Sequence, residues 1–367
     1  MRRLLFSLLI LTAMAAQAQS TSDILNLARR VNSYFMAQNP DPTKPTFVKK
    51  ERTSNLWTRA VYYEGLMDLY SIDPDTAYIN YTDRWANFHK WTARGSVDNT
   101  NADNQCCEQT YIDRYVMAKQ PEMITPTRIN LNHQIGTGRK DYWWWIDAIQ
   151  MAMPIYAKYT QLTGDRHYLD YAMESYRDTR DRRGLFNVAE GFWWRDSVYK
   201  APYKEPDGKN CYWSRGNGWV YAALVRVMKT LNPEDVYYKE LEKDFIIMSQ
   251  ALRKVQRRDG YWNASLVSKN YEGPEMTGTA LFLYGMSWGI QNGILPASEY
   301  RQTCDKAWKA LAACVHDNGF LGYNQGTGAD PSTGQPVTYN SVPDFEDYGT
   351  GCWLLGATEY YRLLQQK

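Results

Sequence analysis

Apolar residues recur along this chain at helical spacing. The segment 238–255 carries one every three or four positions, at Tyr238, Leu241, Phe245, Met248, Leu252 and Val255. Such a stripe predicts an amphipathic helix on the surface of the fold. Three other segments, 219–228, 280–290 and 352–364, are apolar on nearly every side, which predicts helices that are buried all round. The chain is therefore predicted to alternate enclosed inner helices with amphipathic outer helices.

The connections between these helices also repeat. Four of them place Gly or Pro beside a residue suited to cap a helix, and the predicted caps are Asp75, Asp165, Asp235 and Ser298. A second motif, GNGW, TGTA or GTGC, recurs at the predicted starts of inner helices. If one helix pair takes roughly 60 residues, the chain holds about six pairs. The pattern predicts an all-α fold, an (α/α)6 barrel of six inner and six outer helices, with a hairpin within 185–203.

The first residues are typical of an export signal. Arg2 and Arg3 precede an apolar core from Leu4 to Ala16, and Ala16-Gln17-Ala18 resembles a cleavage site. The apolar core is too short to span a bilayer. We therefore expect residues 1–18 to be a signal peptide, residues 19–367 to form a single barrel domain, and the mature protein to be periplasmic.

Composition narrows the class of ligand. With 42 basic and 40 acidic residues the net charge is only +2, which argues against a nucleic-acid partner, and no later segment suggests a membrane span. The chain has 14 Trp and 29 Tyr, whose side chains have flat apolar faces and polar edges that suit the binding of carbohydrate. Most of these rings are nevertheless expected to pack in the hydrophobic core. The six cysteines show no spacing typical of zinc or of a disulfide framework, so we expect buried free thiols and neither metal nor cofactor.

One acid stands directly behind a run of indoles. Residues 141–150 read DYWWWIDAIQ, and Asp147 is the lone acid after three tryptophans. In a helix predicted over 143–163, burial by apolar rings would raise the pKa of Asp147 and suit it to donate a proton. The helix dipole would lower that pKa, and an acid that merely stabilises its helix is the alternative interpretation.

Three further residues have both a chemical and a structural interpretation. Asp103 could be a helix cap or a second carboxylate facing the same cleft. Arg215, between Trp213 and Trp219, could bind a carboxylate or form a structural cation–π stack. His133 is predicted to lie in a Gly/Asn-rich loop before the tryptophans, although a lone histidine is more often structural.

Four motifs in this order carry a family resemblance: WWWIDA (143–148), WSRGNGW (213–219), PEMTGTA (274–280) and YGTG (348–351). Together they resemble the unsaturated rhamnogalacturonyl hydrolases of glycoside hydrolase family 105, to which the unsaturated glucuronyl hydrolases of family 88 are related. The resemblance implies an (α/α)6 barrel. It also implies an enzyme that protonates C4 of a terminal 4,5-unsaturated uronic acid, adds water at C5 and so releases the neighbouring sugar, in the breakdown of pectin or rhamnogalacturonan.

The resemblance also assigns roles to residues. Asp147 matches the proton donor, and Asp103 matches the second acid that positions the sugar and water. The implied substrate-binding residues are Trp57, His133, Trp145, Trp213, Arg215, Trp219 and Tyr348. Many members of the family carry a histidine between the proton donor and the W-x-R motif. This chain has none there, and Trp194, Arg195 or Asp196 would take its place, with Arg195 either gripping the uronate or pairing with Asp196.

Three other functions compete with this interpretation. An unsaturated glucuronyl hydrolase acting on other uronic-acid polysaccharides would share the motifs. A sugar epimerase on the same fold would be expected to use paired histidines, and a non-catalytic carbohydrate-binding protein would be expected to lack one of the two acids. The predicted partner in the first case is an oligosaccharide with an unsaturated uronic acid at its non-reducing end, and its leaving sugar and the oligomeric state stay open.

Overall fold

A computed structural model describes residues 21–366. The predicted signal peptide, residues 1–18, lies outside the described residues. Within them, twelve helices have eleven residues or more, and a thirteenth, α4 (Ala102–Gln105), is a single turn. No helix in this part of the chain is long and apolar enough to cross a membrane.

Six of the helices form a closed inner ring. They contact one another in the order α2, α5, α7, α9, α11, α13 and back to α2. Their bounds are α2 Trp57–Ile72, α5 Glu108–Ala118, α7 Asp147–Thr163, α9 Ser214–Met228, α11 Met276–Gln291 and α13 Asp347–Gln365. Every residue of α9 is buried, and nearly every residue of α11 is, so the predicted all-round burial is confirmed.

The other six long helices pack outside this ring. They are α1 (21–38), α3 Thr76–Phe88, α6 Thr125–Gly136, α8 His167–Arg177, α10 Val236–Val255 and α12 Ala297–Ala313. In α10 the buried side chains include Tyr238, Leu241 and Phe245, which are members of the apolar stripe in the sequence. The predicted alternation of inner and outer helices, and with it the (α/α)6 barrel, is confirmed.

Short hairpins connect some of the helices. Strands β1 (Thr46–Phe47) and β2 (Glu51–Arg52) pair before α2, β3 (Phe186–Asn187) and β4 (Phe192–Trp193) pair before α9, and β5 (Trp262–Asn263) and β6 (Pro274–Glu275) pair before α11. The second of these is the hairpin predicted within 185–203. The first places the 46–52 segment at the mouth of the barrel.

Two of the four predicted caps are confirmed, a third lies one residue before the cap position of its helix, and one is wrong. Asp75 and Asp235 cap α3 and α10 by accepting backbone N–H groups two residues later, and Asp165 accepts from the backbone of His167 at 3.0 Å. Ser298 is not a cap, because α12 already begins at Ala297 after Pro296. Proline fixes its own φ near the helical value, so the helix starts before the serine.

The inner helices approach closely where glycines face each other. A Cβ added to Gly65 of α2 would lie 2.5 Å from the carbonyl oxygen of Gly351 in α13. Only glycine permits this backbone contact, which explains the GTGC motif at the start of α13. All six cysteines are free and buried, as predicted.

Candidate active site

A cavity of about 530 Å³ opens at the ends of the inner helices where α2 and α7 begin. This volume lies in the range of small-molecule sites. Both predicted acids line it, as do two of the predicted aromatic walls. The lining residues are Lys50, Arg52, Leu56, Trp57, Asp103, Trp145, Asp147, Met151, Arg195, Thr327, Gly328 and Ala329.

Asp147 is the first residue of α7. The predicted helix start at 143 is wrong, because the backbone N–H of Ile146 bonds the carbonyl of Arg195 at 2.9 Å and holds the tryptophans in an extended approach. The three indoles differ in burial, although the rings of Trp144 and Trp145 stay in contact with centroids 4.7 Å apart. Trp143 is fully buried and Trp145 is 4% exposed beside the cavity, whereas Trp144 is 50% exposed.

Arg195 neutralises Asp147 from a distant part of the chain. Its Nε lies 3.2 Å from Oδ2 of Asp147, and its Nη1 lies 2.7 Å from Oδ2 of Asp196. Burial raises the pKa of Asp147, and the Arg195 charge opposes that rise. Both sequence hypotheses for Arg195 therefore remain compatible with its position, because it pairs with Asp196 and also faces the cavity.

Asp103 lies in the first turn of α4, but it is not the cap. Asn101 caps this turn by accepting the backbone N–H of Asp103 at 2.9 Å, so the capping interpretation is wrong. The Asp103 carboxyl faces the cavity, where burial, followed by the Asp147 charge, raises its pKa to about 7. Because the repulsion between two carboxylates is mutual, the pair titrates as a unit and holds a proton near neutral pH.

Four predicted substrate-binding residues lie behind the cavity wall. Arg215 is fully buried between the rings of Trp213 and Tyr348, at 4.4 and 5.0 Å from their centroids. Its two terminal nitrogens donate to the carbonyls of Gln325 and Gly326, each at 2.8 Å. This is the structural stack proposed as the alternative, and direct substrate contact by Arg215 and Trp213 stays a prediction.

This layer supports the residues that do face the cavity. The Trp57 ring packs on Trp219 and Tyr348, with centroids 6.2 and 5.2 Å apart. Arg215 also holds the backbone just before Thr327, whose segment forms one edge of the cavity. Trp219 and Tyr348 are fully buried, so they position the wall from behind, and their predicted contact with substrate stays untested.

His133 is not in a loop. It lies in α6 and its side chain is exposed, and it is not among the residues lining the cavity. The same helix turns Asn130 and Gln134 inward, where each accepts a hydrogen bond from Gln105 at 2.7 Å. These buried bonds hold a helix in a segment whose Gly/Asn content predicted a loop.

Several cavity residues were not singled out from the sequence. Lys50 and Arg52 reach the site from the β1–β2 hairpin, and Thr327, Gly328 and Ala329 reach it from the long segment before α13. For Lys50 and Arg52 the only signal in the sequence is a basic run, KKER at 49–52, within a short connection. Nothing local predicts that this run faces Asp103.

A second cavity, of about 860 Å³, lies at the opposite ends of the inner helices. Three of its four lining cations are paired with carboxylates: Lys158 contacts Asp113 at 2.6 Å, and Lys229 contacts Glu359 at 2.6 Å. Arg226 lies 3.5 Å from Glu64. Cations near helix C-termini are favourable to the helix dipole, so these pairs suit the C-terminal ends of the inner helices.

A helical barrel with two coupled carboxylates in a sugar-sized cavity defines a class, the glycoside hydrolases of (α/α)6 fold. The sequence model of Glycosyl Hydrolase Family 88 matches residues 27–364. The chain belongs to Glycosyl Hydrolase Family 88, and the resemblance inferred from its motifs is confirmed.

Similar proteins agree with this assignment. An unsaturated 3S-rhamnoglycuronyl hydrolase from Formosa agariphila is 30% identical over 332 residues, which are 84% of each chain. A solved glycosyl hydrolase family 88 protein from Bacteroides vulgatus is 32% identical, with a TM-score of 0.85 over 94% of this chain and 99% of that one. A family 105 structure from C. acetobutylicum, 21% identical with a TM-score of 0.73 over 91% and 98%, shares the fold.

Proposed function

We propose that this protein removes a terminal 4,5-unsaturated uronic acid from oligosaccharides left by polysaccharide lyases. The observation that carries the proposal is the meeting of Asp147, Asp103 and Arg195 in one cavity. Such a substrate presents a carboxylate beside an electron-rich double bond. The cavity offers a cation and, beside it, two carboxyl groups whose pKa values are raised by burial, and together these groups complement that pair.

Arg195 is placed to receive the substrate carboxylate. Its Nε and Nη1 already bond Asp147 and Asp196, while its Nη2 has no hydrogen-bond partner among residues 21–366 and the side chain lines the cavity. Guanidinium groups bind carboxylates through paired N–H donors. A substrate carboxylate at Nη2 would weaken the hold of Arg195 on Asp147 and so raise the pKa of the acid as substrate binds.

Asp147 then gives its proton to C4. The double-bond electrons form the new C4–H bond, and the positive charge that develops at C5 is shared with the ring oxygen. Water adds at C5 and its surplus proton passes to the Asp103 carboxylate, whose pKa of about 7 suits it to accept. The hemiketal at C5 opens to a ketone as the bond between C5 and the ring oxygen breaks, which leaves a hemiacetal at C1. The hemiacetal then breaks its bond to the neighbouring sugar, so that C1 becomes an aldehyde and the sugar leaves with its hydroxyl. One water is consumed and no glycosyl-enzyme bond is formed.

The name of the Formosa agariphila relative makes an uronic acid linked to rhamnose the first substrate to test. An unsaturated glucuronyl hydrolase acting on other polysaccharides is the second candidate. Residues 1–18 further support the proposal that the enzyme is exported to the periplasm, where lyase products would reach it. Mass spectrometry of the exported protein should find a new N-terminus after Ala18, and an intact N-terminus on the exported protein would contradict this.

The test follows the conjugated double bond. Unsaturated disaccharides from several lyase-treated polymers are incubated with the enzyme, and their ultraviolet absorbance should fall with release of one reducing sugar per double bond. In D₂O the uronic product should carry deuterium at C4. Hydrolysis that leaves the double bond intact, or cleaves saturated glycosides equally well, would overturn the proposal.

A further inference from the structure

Two cations in the cavity are not neutralised by the protein. Arg195 has two carboxylate partners, but Lys50 and Arg52, which line the same cavity, form no ion pair with any carboxylate of the described range. At the second cavity, by contrast, three of the four lining cations are paired with carboxylates. Because these two cations face the same cavity without a carboxylate partner, they leave a positive charge there that an anionic ligand can neutralise.

The Arg52 side chain is held in place by an aromatic ring and a hydroxyl group. Its guanidinium lies 4.5 Å from the centroid of the Phe345 ring, and Nη2 approaches the hydroxyl of Thr327 at 3.5 Å. Thr327 is itself fixed, because its backbone N–H donates to Asp344 at 2.7 Å. A guanidinium stacked on a ring keeps its N–H edge free for an anion. Lys50 lies in the exposed turn of the same hairpin.

The charged groups follow an order of depth. The side chains of Asp147 and Arg195 are 12% and 17% exposed, Arg52 is half-buried and Lys50 is exposed. The Arg52 charge acts on Asp103, whose pKa it helps to hold down. Arg52 and Lys50 therefore lie on the outer side of the cavity, where we expect the sugar next to the unsaturated ring to sit.

We propose that Lys50 and Arg52 form a subsite for an oxyanion carried by the leaving sugar, either a sulfate ester or a second carboxylate. This inference rests on the proposed function, since it assigns the deep position to the unsaturated uronate at Arg195. The hairpin then selects substrates by the charge of the departing sugar. A sulfate ester and a carboxylate would both bind as oxyanions, and substrates that carry one or the other distinguish between them.

The experiment compares three unsaturated disaccharides that differ only in the leaving sugar: unsubstituted, sulfated and carboxylated. Initial rates give KM and kcat for the wild type, for Arg52→Gln, for Lys50→Gln and for the charge-keeping Arg52→Lys. Lys44→Gln is the matched control, because Lys44 is an exposed cation just before the same hairpin and does not line the cavity. Binding of each disaccharide to Asp147→Asn, with and without the hairpin substitutions, is measured by calorimetry.

Arg52→Gln should raise KM for one or both anionic substrates about tenfold more than it raises KM for the unsubstituted one, and this tenfold difference corresponds to about 1.4 kcal/mol. Lys50→Gln should act in the same direction with a smaller effect, and Arg52→Lys should restore part of the preference. Equal losses on all three substrates would overturn the proposal, since the hairpin would then hold the uronate that they share.

The calorimetric binding measurements test the oxyanion subsite independently of the proposed function. If the wild type consumes no double bond, the proposed function fails, and tighter binding of the sulfated or carboxylated disaccharide that is lost in Arg52→Gln still supports the subsite. If the double bond is consumed but the three substrates bind and react alike in every variant, the subsite alone is wrong.

Discussion

Two inner helices of the barrel begin with an aspartate, α7 with Asp147 and α13 with Asp347. Each carboxylate lies at a helix N-terminus, where negative charge is favourable. Each also accepts a hydrogen bond from the Nε of an arginine, Asp147 from Arg195 at 3.2 Å and Asp347 from Arg59 at 2.9 Å. By position and by partner the two acids are nearly the same.

The two carboxylates differ in what surrounds them apart from their arginine partners. Asp347 is fully buried, and its Oδ2 also accepts the Thr46 hydroxyl at 2.7 Å. Its partner Arg59 bonds Thr46 and Asn39 as well, so this cluster ties the first hairpin and α2 to α13 and closes the ring. Asp147 instead faces a cavity of about 530 Å³. An acid enclosed by protein stabilises the fold, whereas the same acid beside open space can meet a substrate.

The largest effect on stability is expected at the enclosed acid. Asp347→Asn leaves the Arg59 charge buried without its counterion, which should lower the free energy of unfolding by about 3 kcal/mol or more. Chemical denaturation monitored by circular dichroism measures this loss. Replacing both partners, as Arg59→Met with Asp347→Leu, should recover part of it. If Asp347→Asn lowers the free energy of unfolding by less than about 1 kcal/mol, Asp347 does not have the structural role that distinguishes it from Asp147.

The next effect is a shift in pH dependence at the cavity. The proton donor works in its protonated form, so turnover falls as the pH rises through its pKa. Arg195→Gln removes the charge that opposes the raised pKa of Asp147, and the alkaline limb of kcat should move to higher pH. Asp103→Asn removes a neighbouring negative charge, and the limb should move to lower pH.

Profiles of kcat against pH are measured for these two variants and the wild type, with Lys44→Gln as a charge-loss control that does not line the cavity. Shifts in the same direction for Arg195→Gln and Asp103→Asn would contradict the assigned arrangement, because one change removes a positive and the other a negative neighbour.

The smallest effect concerns a third acid at a helix start. Asp75 caps the outer helix α3 through the backbone N–H of Ala77 at 2.8 Å, and it neither closes the ring nor lines the cavity. Asp75→Ala should cost about 1 kcal/mol of stability and leave KM and kcat unchanged. A change in activity would show that the barrel transmits a local loss of capping to the site.

Much of the barrel follows from local patterns. The apolar faces of α9, α11 and α13 are continuous in sequence, and a helix buried on all sides has few packing solutions other than an inner ring. The errors come from competing local signals. Pro296 starts α12 before Ser298 could cap it, and buried hydrogen bonds from Gln105 keep His133 in a helix despite its Gly/Asn-rich surroundings.

The candidate active site is harder to predict from local sequence patterns, because its chemistry depends on residues that lie far apart in the chain. Asp147 and Trp145 are adjacent in sequence, and the indoles suggested a buried acid. The pairing of Asp147 with Arg195, and the arrival of Lys50 and Arg52 on a hairpin before α2, depend on closure of the whole ring. The burial of Arg215 behind Trp57 likewise depends on the segment at Gln325 and Gly326, which no local pattern links to it.

The account depends on the Asp147 carboxyl handing its proton to the substrate, and Asp147→Asn tests this most directly. The amide keeps the shape of the side chain but cannot supply the proton. Turnover of unsaturated disaccharide should fall about 10³-fold, while calorimetric affinity and the unfolding midpoint stay near those of the wild type. A variant that retains more than about a tenth of the wild-type kcat would contradict the assignment, because a general acid contributes far more than that to catalysis.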